Sequence, residues 1–149
     1  MHYHTIAYHQ DSLPEPFIHK QITDFLFREL GEFGDPAEDI AMAIDHALSC
    51  RGGFVLVARK GSDTDPGDII GAVVINVTGM KSYVPANLLV YIATDATLRG
   101  KGIGSALMKE VIERCEDGIA LHCEPHNPAR RLYEKFGFTS KYLSMRYTK

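Results

Sequence analysis

The run Leu88-Leu89-Val90-Tyr91-Ile92-Ala93 constrains the fold most. It is apolar on both faces, and a strand with no polar side belongs inside a sheet covered by helices on both sides. A chain of 149 residues is long enough to build those layers around it. Hydrophobic residues make up 45% and charged residues 23%, with a net charge of -3, which excludes the low hydrophobicity and high charge of a disordered chain. No apolar run approaches the roughly 20 residues of a membrane helix, so no membrane role is expected. The first nine residues lack the features of a secretory signal, and cytoplasm is the expected compartment. Cys50, Cys115 and Cys123 are an odd number without a C-x-x-C spacing and read as reduced thiols.

Around the central run the periodicity predicts a mixed order of elements. Residues 3 to 8 read as a strand. Ile18, Ile22, Phe25, Leu26 and Leu30 space as an amphipathic helix ending near Gly31. Asp35-Pro36-Ala37-Glu38 offers a cap for a second helix with Ile40, Ala41, Ile44 and Leu48 inward. Phe54 to Arg59 and Ile69 to Val77 are β-branched runs, expected as a hairpin with a mobile tip over residues 60 to 68. A helix over Ile103 to Glu116, a strand over Ile119 to Glu124, a helix from Asn127-Pro128 and a final strand over Phe138 to Thr148 complete the order. The crossover rule makes the strands at 88 to 94 and 119 to 124 parallel neighbours. With no repeat or linker in the sequence, residues 1 to 149 read as a single unit.

Between the central strand and its helix stands Leu98-Arg99-Gly100-Lys101-Gly102-Ile103-Gly104-Ser105. Glycines let the backbone approach a ligand, and the first amides of a helix lack internal partners, which together favour phosphate. A P-loop needs Ser or Thr after the lysine, where Gly102 stands. A dinucleotide fingerprint starting at Gly100 needs glycine where Ser105 stands. A tight strand-to-helix turn with no ligand is the bland alternative.

The pattern Arg-x-x-Gly-x-Gly, as Arg99, Gly102 and Gly104, resembles the acyl-CoA pyrophosphate loop of the GNAT superfamily of N-acetyltransferases. Asn127-Pro128-Ala129-Arg130-Arg131-Leu132-Tyr133-Glu134-Lys135-Phe136-Gly137-Phe138 is similar to that family's second conserved segment. The resemblance is close over residues 88 to 140. It implies an α/β fold with a central mixed sheet flanked by about four helices, in which the strands at 88 to 94 and 119 to 124 splay apart around acetyl-CoA. It also implies that backbone groups of Ile92, Ala93 and Thr94 hold the pantetheine arm. Amides of Gly100, Lys101, Gly102, Ile103, Gly104 and Ser105 would hold the pyrophosphate, with the Arg99 and Lys101 side chains adding charge near the phosphates and Asn127 and Tyr133 on the opposite wall. Arg130 reads instead as surface.

The implied reaction is attack of an amine on a thioester. Tyr133 matches the family's general acid, and a phenol near pKa ~10 keeps its proton at neutral pH. The backbone N-H of Ile92 matches the group that stabilises the oxyanion. Counted from Arg99, the family's glutamate base falls on Leu88, which cannot serve. Asp95, Glu124, His122 and His126 are the remaining candidates, with Glu124 first. Relatives also carry a Val-x-Pro before the loop, where this chain has Thr94 and Ala96. No metal is expected, since a strand would send His122 and Cys123 to opposite faces.

Charge is uneven. Residues 1 to 98 hold 6 Lys/Arg and 13 Asp/Glu (6 - 13 = -7), and residues 99 to 149 hold 10 and 6 (10 - 6 = +4). The basic part has no Lys/Arg run with interleaved aromatics, so an anionic small ligand is expected rather than nucleic acid. Asp24, Glu29, Glu32, Asp35, Glu38, Asp39 and Asp45, on the helices that wall the acceptor side in this family, point to a cationic amine, either a small molecule or a protein lysine. Met80 and Tyr83, in the loop before the central strand, are further candidates for specificity. A non-catalytic acyl-CoA sensor or interaction module is the alternative, motivated by Leu88. The alternating Tyr142 to Tyr147 fits either homodimer pairing or an edge strand within the monomer.

Overall fold

A computed structural model describes residues 1–149. The strands are β1 (Tyr3–Tyr8), β2 (Gly53–Ser62), β3 (Asp65–Val77), β4 (Asn87–Thr94) and β5 (Ile119–Leu121), and they form one sheet in the order β1-β2-β3-β4-β5. The first three pairings of neighbours are antiparallel and β4 with β5 is parallel, as the crossover through α3 (Ile103–Arg114) requires. The other helices are α1 (Pro16–Leu30), α2 (Ala37–Ala47) and α4 (Arg130–Lys135).

Two apolar clusters lie on opposite faces of the sheet. Ile22, Phe25 and Leu26 of α1 and Ile40 and Ile44 of α2 pack on Val55, Val57, Ala72, Val74 and Tyr91. Ile103, Leu107, Met108 and Val111 of α3 pack with Tyr133 on Leu56, Val73, Ile75, Leu89 and Ile92. Each such fully buried aliphatic side chain contributes roughly 1.5–3 kcal/mol, so the interior strands hold the site's frame rigid. Gly71 lets α3 come close, since a Cβ there would stand 2.7 Å from Leu107 Cδ1.

In four places the structure departs from the expected elements. Strand pairing extends into residues 60 to 68: β2 and β3 stay paired out to Ser62 and Asp65, with Gly61 at φ 83° at the irregular register. Asp35 does not cap α2; its carboxylate accepts a hydrogen bond from the Tyr91 hydroxyl instead. β5 ends at Leu121, three residues before Glu124, and its pairing with β4 ends at Leu89 opposite Leu121. Residues 138 to 148 form no strand: Tyr142, Leu143, Met145 and Tyr147 are all exposed, with no sheet edge paired to them.

β4 also carries a bulge that its apolar run conceals. Tyr91 pairs with Val74 and Leu89 with Ile75, leaving Val90 as the extra residue. Val90 and Tyr91 therefore both face α1 and α2, whereas Leu89 and Ile92 face α3.

Candidate active site

Beyond Leu89, β4 runs on for five residues with nothing paired on its β5 side. The Asp95 amide donates to Ile70 O and Ala93 stands opposite Ala72, so by antiparallel alternation the main-chain groups of Ile92 and Thr94 point away from β3 and into this opening. Asn87, buried at the start of β4, donates to the carbonyls of Asp117 and Gly118 and pins the closed end of the fork.

At the open end the chain turns through a short helix, Ala96–Leu98, into α3. Asp95 accepts from the Thr97 amide at 2.8 Å and from its hydroxyl at 2.7 Å, and these bonds hold its carboxyl below the usual range. Both bonds go to Oδ1, so one oxygen of the carboxylate is engaged in the turn. Glu29 of α1 accepts from the Ala96 amide at 2.9 Å and ties the turn to the opposite face.

From Gly100 to Ser105 no amide donates a hydrogen bond of ordinary geometry to another group of the protein; the next, Ala106, donates to Gly102 O. Gly100 and Gly102 make the row possible. They sit at φ 84° and 82°, and a Cβ at either would meet nothing within 4 Å. Six consecutive amides without protein partners are a ready anion cradle. Gly104 packs beneath them, where a Cβ would stand 3.4 Å from Leu132 Cδ2 and 3.8 Å from Thr94 Cγ2, so the end of β4, the start of α3 and α4 converge here.

The side chains of Arg99 and Lys101 are exposed, and neither is in an ion pair. Lys135 of α4 donates to Ser105 Oγ at 3.1 Å and adds a cation that the sequence reading left without a role. Thirty residues separate the two, and no local pattern marks such a contact. Arg130 lies at the surface as expected, 3.6 Å from Glu134.

Tyr133 is buried, with its ring edge-on to Phe138. Burial, with a smaller contribution from Cys123, pushes its phenol up to about 12. The Asn127 side chain accepts from the Ala129 amide at 2.9 Å, capping the turn into α4. Glu124 and His126 stand in the coil after β5, 3.8 Å apart and both exposed. His126 packs on Phe33 with ring centroids 5.3 Å apart, so this coil meets the α1–α2 wall. His122, also exposed, lies 3.3 Å from Arg146. Since β5 stops at Leu121, strand alternation does not govern where His122 and Cys123 point.

On that wall the acidic set is narrower than its count. Asp24 pairs with Lys20, Glu29 with Arg28 and Asp45 with His19, and Asp35 accepts from Tyr91. Glu32, Glu38 and Asp39 form no ion pair. Tyr91 is raised by burial and by the neighbouring Asp35 and Asp39 carboxylates, so it stays a neutral donor. The bulge that aims Tyr91 at Asp35 has no signal in an all-apolar run. Tyr83 and Met80 lie exposed in the loop before β4.

A family model described as an acetyltransferase (GNAT) domain matches residues 51–140. No curated protein matches the sequence. Among solved structures, a ribosomal-protein-alanine N-acetyltransferase from Brucella melitensis biovar Abortus 2308 is 22% identical with a TM-score of 0.63, covering 99% of each chain. The aminoglycoside N-acetyltransferase AAC(6')-Iy, solved in complex with CoA, is 18% identical with a TM-score of 0.65, covering 99% of this chain and 95% of its own. Ard1 from Thermoplasma volcanium is 16% identical with a TM-score of 0.70, covering 95% of this chain and 86% of its own. At these identities the likeness is one of fold.

Proposed function

The chain belongs to the GNAT acetyltransferase family and is an acyltransferase; from that premise we propose that residues 1–149 act as one catalytic unit. It moves the acetyl group of acetyl-CoA to a primary amine by direct attack in a ternary complex. The row of free amides from Gly100 to Ser105, beside the unpaired half of β4, carries this reading. Such a row fits a pyrophosphate, and the exposed Arg99 and Lys101, with Lys135 nearby, add the charge it requires. The outward groups of Ile92 and Thr94, flanking Ala93, fit an extended arm that completes the sheet in place of the missing strand. Asn127, its oxygen engaged in the cap, offers its amide nitrogen from the other wall.

Bound there, acetyl-CoA supplies a thioester as the acyl donor. The chain's own groups then orient the reaction and manage two protons. The Ile92 N-H stabilises negative charge on the acyl oxygen. Tyr133 holds its proton throughout the neutral range and gives it to the departing sulfur. A phenol at about 12 is a poor donor to a thiolate near ~8.5 in water. Burial raises thiols as well as phenols, so a sulfur enclosed beside Tyr133 is a stronger base than in water. Glu124, next to His126, takes the proton from the amine at the mouth of the cleft. Glu32, Glu38 and Asp39, without cationic partners on the α1–α2 wall, favour a cationic acceptor, a small molecule or a protein lysine.

Thermal shift with acetyl-CoA, CoA and NAD(P), followed by thiol release from acetyl-CoA across polyamines, aminoglycosides and lysine peptides, tests the reading. Stabilisation by the two CoA species and thiol release with cationic amines are expected. Stabilisation by NAD(P) alone, or no release with any amine, overturns the reading; a preference for neutral amines removes the acceptor assignment.

A further inference from the structure

A cavity of about 640 Å³ lies away from the β4–β5 fork, where β1, the first turns of α1 and the β2–β3 hairpin meet. Its wall is apolar along Ile6, Tyr8, Phe17 and Ile18, and Arg59 of β2 stands among them. Arg59 is only 9% exposed, and a guanidinium cannot escape burial by losing its proton. Nη1 donates to Gly67 O and Nη2 to Gln21 Oε1, both at 3.0 Å, and both partners are neutral. Arg59 forms no ion pair. A cation withdrawn from water without a counter-charge keeps an uncompensated desolvation cost.

One polar atom of the same wall has no hydrogen-bond partner. His4 directs Nδ1 to Gly61 O at 3.0 Å, leaving Nε2 sealed from solvent with no hydrogen-bond partner. The nearest carboxylate, Asp63 at the hairpin tip, is 3.6 Å from that nitrogen and mostly exposed. With one buried cation inside and one carboxylate on the rim, the cavity has charge for a single negative group, and a dianion would meet repulsion from Asp63.

We infer that this cavity binds a small monocarboxylate with an aliphatic or aromatic body, at a site separate from the amide cradle. Arg59 takes the carboxylate, whose planar oxygens match the guanidinium fork, and Ile6, Tyr8, Phe17 and Ile18 enclose the body. The site does not depend on the acetyl-transfer reading.

Calorimetric titration of the full chain with phenylacetate, isovalerate, phenylacetamide and inorganic phosphate tests it. Saturable binding of at least one carboxylate is expected, with phenylacetamide and phosphate each weaker by about tenfold or more, a difference of ~1.4 kcal/mol or more. Arg59→Gln abolishes carboxylate binding. Phe17→Glu, at an exposed rim position, weakens it at least about tenfold without touching the core, and covers the case in which Arg59→Gln fails to fold. Both folded variants keep the thermal shift given by acetyl-CoA. The proposal is overturned if no carboxylate saturates at millimolar concentration, if the amide matches the acid, if phosphate binds more tightly, or if Phe17→Glu binds like the parent chain.

Discussion

Tyr133 is where burial and chemistry meet in one side chain. As the proposed proton donor it is expected to be needed for turnover but not for grip. Tyr133→Phe keeps the ring on Phe138 and removes the proton. The expected result is a kcat lower by on the order of 10²-fold with the acetyl-CoA dissociation constant within about twofold, measured by steady-state kinetics and calorimetry. The same burial makes a stability prediction. Tyr133 is raised from 10.0 to about 12 and Cys115 from 9.0 to about 11. A raised folded value means the native state holds its proton more tightly than the unfolded chain does, so the contribution is complete below the unfolded values. It is lost as pH rises, from about 9 for Cys115 and from about 10 for Tyr133, and is gone above about 12. Denaturant midpoints between these limits should fall with pH, and Tyr133→Phe should flatten the fall in its upper half. At this scale a motif singled out Tyr133, and the structure sets it, buried, on α4. The sequence was silent on the contacts of Glu29 and Lys135, whose partners Ala96 and Ser105 are 67 and 30 residues away.

The helices α1, α2 and α3 could be read from the spacing of their apolar residues, because each buries one stripe against a sheet face. The parallel pairing of β4 with β5 was expected from the strand–helix–strand order. The β4 bulge could not be read: Val90 and Tyr91 fit the pattern whichever face they occupy, since both faces are apolar. The last strand was misjudged because alternation in Tyr142 to Tyr147 shows that a segment can pair, not that an edge lies within reach. The amide row is a property of the β4–α3 joint and depends on backbone angles that only glycine adopts cheaply. Gly102→Ala has room for its Cβ but must hold φ 82°, at a cost of about 1–2 kcal/mol. Chemical denaturation should show that loss, with weaker acetyl-CoA binding beside it. Unchanged stability and unchanged binding together would mean that the joint is not held by its left-handed residues.

Across the whole molecule, residues 139 to 149 stand apart: every one is exposed, including four large apolar side chains. Their alternation fits pairing between two copies of the chain. Deleting residues 140 to 149 should then abolish concentration-dependent sedimentation while shifting the melting temperature by no more than about 2–4 °C, the equivalent of ~1 kcal/mol in a chain of this size. A parent chain that sediments as a monomer at all concentrations refutes the pairing. The two apolar clusters have a different consequence. They lie on opposite faces of the sheet and no side chain belongs to both, so the α1–α2 layer and the α3–α4 layer are separate packing problems. A graft that exchanges the first layer for that of a relative, with Glu29 kept as the tether to Ala96, leaves the second layer's jigsaw untouched. Chimaeras of this design would let one half of the reaction be rewritten while the other is inherited whole.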